Sequence, residues 1–250
     1  MKKASIAIAL TAAISLILAS CVDYSKPEPE PDKKVATREP SEIVDIPWAD
    51  SEFTGYVIQD YEGNNKGTVA MSIERYRDIY SLKQLYVFQD NVSLVLIANV
   101  RADNLKPLGG GVTESNVAFG PTTTYSYEEG GKLNIDAASP EGVQHIVMDV
   151  PEDAYDDNEL LFLLRTLPFE VGYSTAFTNI IVASAKKWAV RISVVSKEEI
   201  QVPAGNFDTY KIKLTMAGET KHLWYGRSKP HHLIKLNDGV NLLLLKEIIK

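Results

Sequence analysis

The stretch Lys221–Leu236, KHLWYGRSKPHHLIKL, gathers three of the chain's four histidines with a tryptophan and a tyrosine. Imidazoles at that density serve elsewhere as metal ligands or as general acids and bases. Here Gly226-Arg227-Ser228-Lys229-Pro230 is a run of turn formers, so the stretch divides into two strands of a hairpin. His222 and Trp224 would share one face and Leu223 and Tyr225 the other, while His231 and His232 point opposite ways. Adjacent strand residues cannot ligate one ion without a bulge, and the sequence supplies no evident third ligand. The expectation is a hairpin with no metal, its aromatic pair sealing a sheet edge or lining a groove mouth.

The other chemistry-bearing runs are weaker. Asp149–Glu159, DVPEDAYDDNE, lacks the D-x-[DN]-x-[DN]-G spacing that wraps oxygen ligands around calcium. Its charge is explained more simply as the acidic start of a helix. Gly109-Gly110-Gly111 has neither a following helix nor the Lys-Ser/Thr pair of a phosphate loop. No G-x-S-x-G nucleophile elbow occurs. Paired carboxylates come together only in a fold, so no catalytic residue and no cofactor is nominated.

The N-terminus carries the most specific signal. Lys2 and Lys3 precede an apolar run, Ala4–Leu18, of the size of a signal-peptide core and shorter than the roughly 20 residues a membrane-spanning helix needs. Leu18-Ala19-Ser20-Cys21 resembles the lipobox of bacterial lipoproteins. That resemblance implies removal of residues 1–20 and acylation of Cys21, hence attachment to a membrane through lipid chains rather than a helix. Cys21 is the only cysteine. Once it is acylated, no thiol remains for a disulfide, a nucleophile or a metal. By the same resemblance Val22, in place of a retention aspartate, favours the outer membrane if the envelope is Gram-negative.

Residues 21–46 follow as a tether rich in Pro, Glu, Lys and Asp, with too little apolar surface to fold. In extended polyproline form, at roughly 3.1 Å per residue, it spans up to about 70 Å. Residues 47–250 remain as a single domain large enough for a sizeable core. The chain's formal charge is −7, and loss of Lys2 and Lys3 makes it more negative. That balance argues against nucleic acid and against broad adhesion to anionic lipid.

Strand signals dominate this domain. Tyr210, Ile212, Leu214 and Met216 alternate with Lys211, Lys213 and Thr215, and Trp188, Val190, Ile192 and Val194 repeat the period of two. Residues 67–76, 81–90, 91–100, 122–129 and 142–150 are further β-rich runs between turn residues. One segment breaks the rhythm. Leu160, Leu161, Leu163, Leu164 and Leu167 recur at helical spacing, which predicts a helix over Asp157–Leu167, capped by Asp156 or Asp157 and stopped at Pro168. The expected fold is mostly β: a large curved antiparallel sheet, a half-barrel or open barrel, with one helix packed on its concave face.

Val202-Pro203-Ala204-Gly205-Asn206-Phe207-Asp208-Thr209-Tyr210-Lys211, with Leu223-Trp224-Tyr225 after it and Leu167-Pro168-Phe169 before it, resembles an uncharacterised family of exported bacterial proteins and lipoproteins. The resemblance covers about Leu160 to the C-terminus. It implies a curved sheet with a helix, similar in general shape to lipoprotein carriers, and no catalytic residues. The residues themselves read as scaffold, since Pro203 presets φ and Gly205 takes positive φ in a tight turn.

The leading functional expectation is a non-enzymatic envelope lipoprotein that binds a lipid, glycolipid or acylated protein in a concave apolar groove. Leu160, Leu163, Leu164, Trp188 and Trp224 are the candidate lining. The alternative is an assembly lipoprotein presenting a sheet edge or surface to another envelope protein, and an envelope hydrolase stands third.

Overall fold

A computed structural model describes residues 45–90, 92–115, 122–140 and 142–249. The leader, Cys21 and nearly all of the tether lie outside the described residues.

Alternation of apolar and polar side chains produces fifteen strands in one sheet. In chain order they are β1 (Ser51–Asp60), β2 (Asn65–Tyr76), β3 (Ile79–Phe88), β4 (Ser93–Arg101), β5 (Pro107–Ser115), β6 (Thr122–Glu128), β7 (Lys132–Ser139), β8 (Gly142–Asp149), β9 (Ala154–Asp156), β10 (Ser174–Ile181), β11 (Lys186–Val202), β12 (Gly205–Met216), β13 (Glu219–Gly226), β14 (Leu233–Asn237) and β15 (Asn241–Ile249). Neighbours pair antiparallel except β9 with β10, which are parallel. The spatial order is β8 to β1 and then β15 back to β9, so β1 and β15 meet mid-sheet and the two edges are β8 and β9.

That order forces curvature. The two edges of a fifteen-stranded sheet are consecutive in the chain, and five residue steps from Asp149 to Ala154 reach at most about 18 Å. The sheet must therefore curl until its edges nearly meet. Lys187 Nζ bonds the Asp149 carbonyl at 3.2 Å, and Lys106 Nζ bonds the Glu152 carbonyl at 2.6 Å, fastening the link between the edges. The apolar side faces inward: Leu94, Leu96, Ala98 and Val100 of β4 join the core while Val95, Ile97 and Asn99 point out. Outward positions elsewhere include Lys83, Lys213 and Arg191. This is the reverse of a barrel whose outer face meets lipid. Among the described residues no helix is long and apolar enough to cross a membrane.

A curled sheet of this size leaves a lumen, and the segment after β9 fills it. The expected eleven-residue helix is shorter: α1 is Leu160–Leu163, and a 3-10 turn, Leu164–Thr166, continues it. Asp156 lies in β9, and the N-cap position is Glu159 with no side-chain cap bond, so neither aspartate caps. The reason is local. Asp156 Oδ1 accepts from the Asn158 N–H at 2.9 Å, and Glu159 Oε1 accepts from the Asp156 N–H at 2.8 Å. These bonds turn the chain sharply before the helix begins. Leu160, Leu161, Phe162, Leu163 and Leu164 are all buried, an apolar surface on every side that marks a helix enclosed by protein. Each contributes about 2 kcal/mol by leaving water.

The plug is fixed at its far end by charge. Arg165 forks onto Glu52 at 2.7 and 2.9 Å, bonds the Pro230 carbonyl at 2.8 and 3.1 Å, and lies 5.1 Å from the Trp48 ring. His232 Nδ1 stands 3.4 Å from Glu52. Burial by itself raises the Glu52 carboxyl, but the contacts from His232 and Arg165 outweigh it and hold it at about 2. This contribution to stability is complete above the unfolded value and is lost as pH falls through about 2. The domain's own start docks beside it: Asp45 pairs with Lys229 and Ile46 packs on the core.

Breaking a buried ion pair from one side is costly, because the remaining charge stays buried. Glu52→Gln is expected to lower stability by about 3 kcal/mol, visible as a lower urea midpoint with an unchanged slope. A shift of under about 0.5 kcal/mol, the size of a surface pair, would show that the fork does not hold the plug.

Candidate functional site

The hairpin expected from Lys221–Leu236 is formed by β13 and β14. Its histidines do not converge. His222 is on the outer face near Trp224, His231 packs 4.5 Å from the Phe169 ring, and His232 faces Glu52. Among the described residues no three histidine, cysteine, aspartate or glutamate side chains gather as a metal site requires. Lys221, at the start of the same stretch, points inward, and burial lowers its ammonium to about 8.

Leu160, Leu163 and Leu164 lie in the core as part of the plug, and Trp188 joins the same core. Trp188 also borders a cleft of about 40 Å³ beside Thr215 and Met216. Trp224 is on the outside of β13, where Glu198 accepts its indole N–H at 2.7 Å and Lys211 and Lys235 lie 5.1 and 4.9 Å from its ring. These neighbours cover it.

A sizeable concavity lies elsewhere, on the outer face of β2 to β6, with a volume of about 810 Å³. It exists because β5 reads PLGGGVTES. Gly111 pairs with Ile97 of β4 and Thr124 of β6, and Gly109 with Asn99 and Ser126. Gly111 stands in line with the outward-facing Ile97 and Thr124 and brings no side chain, which leaves β5 bare between its neighbours, and a methyl group at Gly109 would run into the Tyr125 carbonyl, 2.5 Å away. Tyr76, Ile79, Val95, Ile97 and Leu108 form apolar walls, and Ser81, Asn99, Thr113, Thr122 and Thr124 add hydroxyls and an amide. The volume falls within the ~300–1,000 Å³ usual for small-molecule sites.

Gly110 faces inward and serves a different purpose. A methyl group there would overlap the Ile97 carbonyl and stand 2.6 Å from Tyr125 Oη. That hydroxyl donates to the Ile97 carbonyl at 3.0 Å and receives a bond from Asn158 Nδ2, also at 3.0 Å. Asn158 in turn accepts from Gln84 at 2.8 Å through its carbonyl. The floor of the outer groove is thus tied through Tyr125 to the turn that begins the plug.

That turn is an acidic cluster in an apolar interior. Asp156, Asp157 and Glu159 are all buried. Burial pushes Asp156 up to about 7, against hydrogen bonds from Tyr125, Asn158 and Tyr127 that lower it. Burial, then the neighbouring Asp156, raises Asp157 and Glu159 well above the carboxylate range. Sequence reasoning took these acids for the charged start of a helix and set Gly109–Gly111 aside once a phosphate loop was ruled out. The available signal was three glycines within a run that otherwise pairs as a strand, which marks a close backbone approach or a ligand.

Comparison with known proteins agrees with this architecture. A family model described as "Protein of unknown function (DUF3108)" matches residues 55–241. No curated protein sequence matches the chain. The chain is similar in fold to a β-barrel-like protein of another domain of unknown function, DUF1849, from Brucella abortus. The TM-score is 0.55 at 9% identity, over 79% of this chain and 96% of that one. A protein from Bacteroides fragilis described as exported, with a YmcC-like fold, aligns at 10% identity and TM-score 0.35, over 82% of this chain and 98% of that one. One from Parabacteroides distasonis described as a lipoprotein aligns at 11% and 0.32, over 82% and 97%.

Two outcomes test this geometry. Asp156 holds a proton in the fold that the unfolded chain releases, so stability falls as pH rises from the unfolded value, 3.8, through about 7. The loss attributable to this group is about 2 kcal/mol between pH 5 and 7. Asp156→Asn should remove that part of the slope in urea titrations, and an unchanged slope would refute the assignment. Gly110→Ala should destabilise by about 1–3 kcal/mol through overpacking, whereas a neutral result would mean the Tyr125 link has slack.

Proposed function

Since the chain belongs to the DUF3108 family, whose description assigns no activity, we propose from the site itself that this is an envelope lipoprotein that binds an acyl-bearing molecule in the outer groove of β2 to β6. Lipid, glycolipid and acylated polypeptide share the acyl chain, and that is what aliphatic walls over a bare glycine floor can hold. The observation that carries this reading is the groove of about 810 Å³ over the bare backbone of Gly109–Gly111. The leader and the LASC motif support export and acylation at Cys21, which would keep the domain within reach of membrane lipid through the tether. Outer-membrane placement rests on Val22 alone. Neither the family description nor the structural relative carries a reaction, so a binding role is preferred to an enzymatic one.

One observation favours a second reading, docking to another envelope protein. β8 is an edge strand, exposed along most of its length, with Val143 72% and Val147 53% exposed. It contains neither the lysine nor the proline that commonly blunts an edge, so its free backbone groups could accept another strand.

Native mass spectrometry of the chain extracted from its own membranes should find an acyl-bearing molecule bound without a covalent link. Thr124→Trp lays an indole across Gly111, filling the groove from an exposed position, and should reduce that occupancy at least tenfold. A wild-type chain free of ligand, or a variant that retains it, would reject the groove. A photo-crosslinker at Val143 that captures one envelope protein would favour the edge instead.

A further inference from the structure

Across the outer face the sheet register sets one row of side chains: Ser72, Lys83, Ile97, Gly111, Thr124 and Asp136. Its middle, Ile97 to Thr124, belongs to the groove, and no formally charged side chain lines the groove at any point. That is a departure for a chain in which charged residues make up 24% of the sequence. The nearest charges along the row lie just beyond each wall and have opposite signs, Lys83 outside Ile97 and Asp136 outside Thr124. Asp136 is engaged by His145 at 2.7 Å. Four strand spacings, about 19 Å, separate Lys83 from Asp136, too far for one zwitterionic headgroup to meet both.

We propose that the groove selects an amphiphile with an uncharged head: one acyl chain against Ile79, Ile97 and Leu108, and a hydroxyl-bearing or amide-bearing head among Thr113, Thr122 and Thr124, at the end of the groove where Thr113 pairs with Thr122. This rests on the acyl-binding reading above and names its ligand class. A carboxylate or phosphate seated there would lose its hydration and find only neutral donors, and an ammonium only neutral acceptors. A glycerol, sugar or peptide amide can exchange its water bonds for bonds to these threonine hydroxyls. Along this row Lys83 and Asp136 carry opposite charges, so the row as a whole favours neither sign of ligand.

The test uses the full chain, held in solution by an amphipathic polymer, and three water-soluble ligands of equal chain length: octanoyl glycerol, octanoate and octyltrimethylammonium. Binding is read by hydrogen exchange of the Gly109–Thr113 and Thr122–Thr124 amides. Octanoyl glycerol should protect these amides at a concentration at least tenfold below either charged ligand. Thr124→Lys should raise octanoate affinity at least tenfold and weaken that of octanoyl glycerol. If octanoate or the ammonium ligand binds within threefold of the neutral one in the wild-type chain, selectivity for uncharged heads is overturned while acyl binding stands. If no ligand protects these amides, acyl binding in the groove fails and the inference with it.

Discussion

The constraint on which the rest depends is the short link between the sheet's two edges. β8 and β9 stand at opposite ends of a fifteen-stranded order yet are joined by Val150–Asp153. A sheet so connected has to curl, and a curled sheet of this width encloses a space that side chains from its own strands do not fill. The chain resolves this by sending the segment that follows β9 straight into the lumen. The apolar run Leu160–Leu164 is long enough to fill the middle and too short to be an independent helix in water, where isolated helices need ~12–15 residues. Packing rather than propensity holds it.

Filling the lumen with this segment brings polar groups inside as well. Arg165 is neutralised by a two-pronged bond to Glu52 and by the Pro230 carbonyl, which draws β1 and the β13–β14 loop onto the plug. At the other end Lys221 acts on Asp157 and Lys106 on Glu159, but burial outweighs them and raises both carboxyls, as it raises Asp156. Their environment favours the protonated form; Tyr127 and the Asn158 N–H bond Asp156, while Gln84 and Tyr125 hold Asn158. The two ends therefore respond to pH in opposite directions. The Glu52 contact weakens in acid, and the buried acid turn is disfavoured as pH rises toward 7.

The same turn reaches the outer surface. Asn158 holds Tyr125, Tyr125 holds the Ile97 carbonyl, and Ile97 is a wall of the groove. Three consecutive glycines divide the work: Gly110 makes room for that contact, Gly109 lets the Tyr125 carbonyl approach, and Gly111 leaves the outer face empty. Interior filling and exterior concavity are thus two consequences of one stretch of β5.

From sequence alone, alternation of Tyr210, Ile212, Leu214 and Met216 against lysines specifies a strand, as do the runs that became β2 to β4, β6, β8 and β11. Turn chemistry at Val202–Gly205 is equally local, as the positive φ at Gly205 attests. Period-two patterning and turn residues act over a few positions, so a mostly β curved sheet was legible. The leucine run also announced a buried helix, but its length was not legible, because the bonds among Asp156, Asn158 and Glu159 that delay its start form only inside the lumen. Which face holds the concavity was decided by the tertiary structure alone. Leucine and tryptophan spacing shows that side chains are apolar, not whether the space between them is filled. The groove depends on the register that sets Gly111 between Ile97 and Thr124, residues 14 and 13 positions away along the chain, and only strand pairing brings them together.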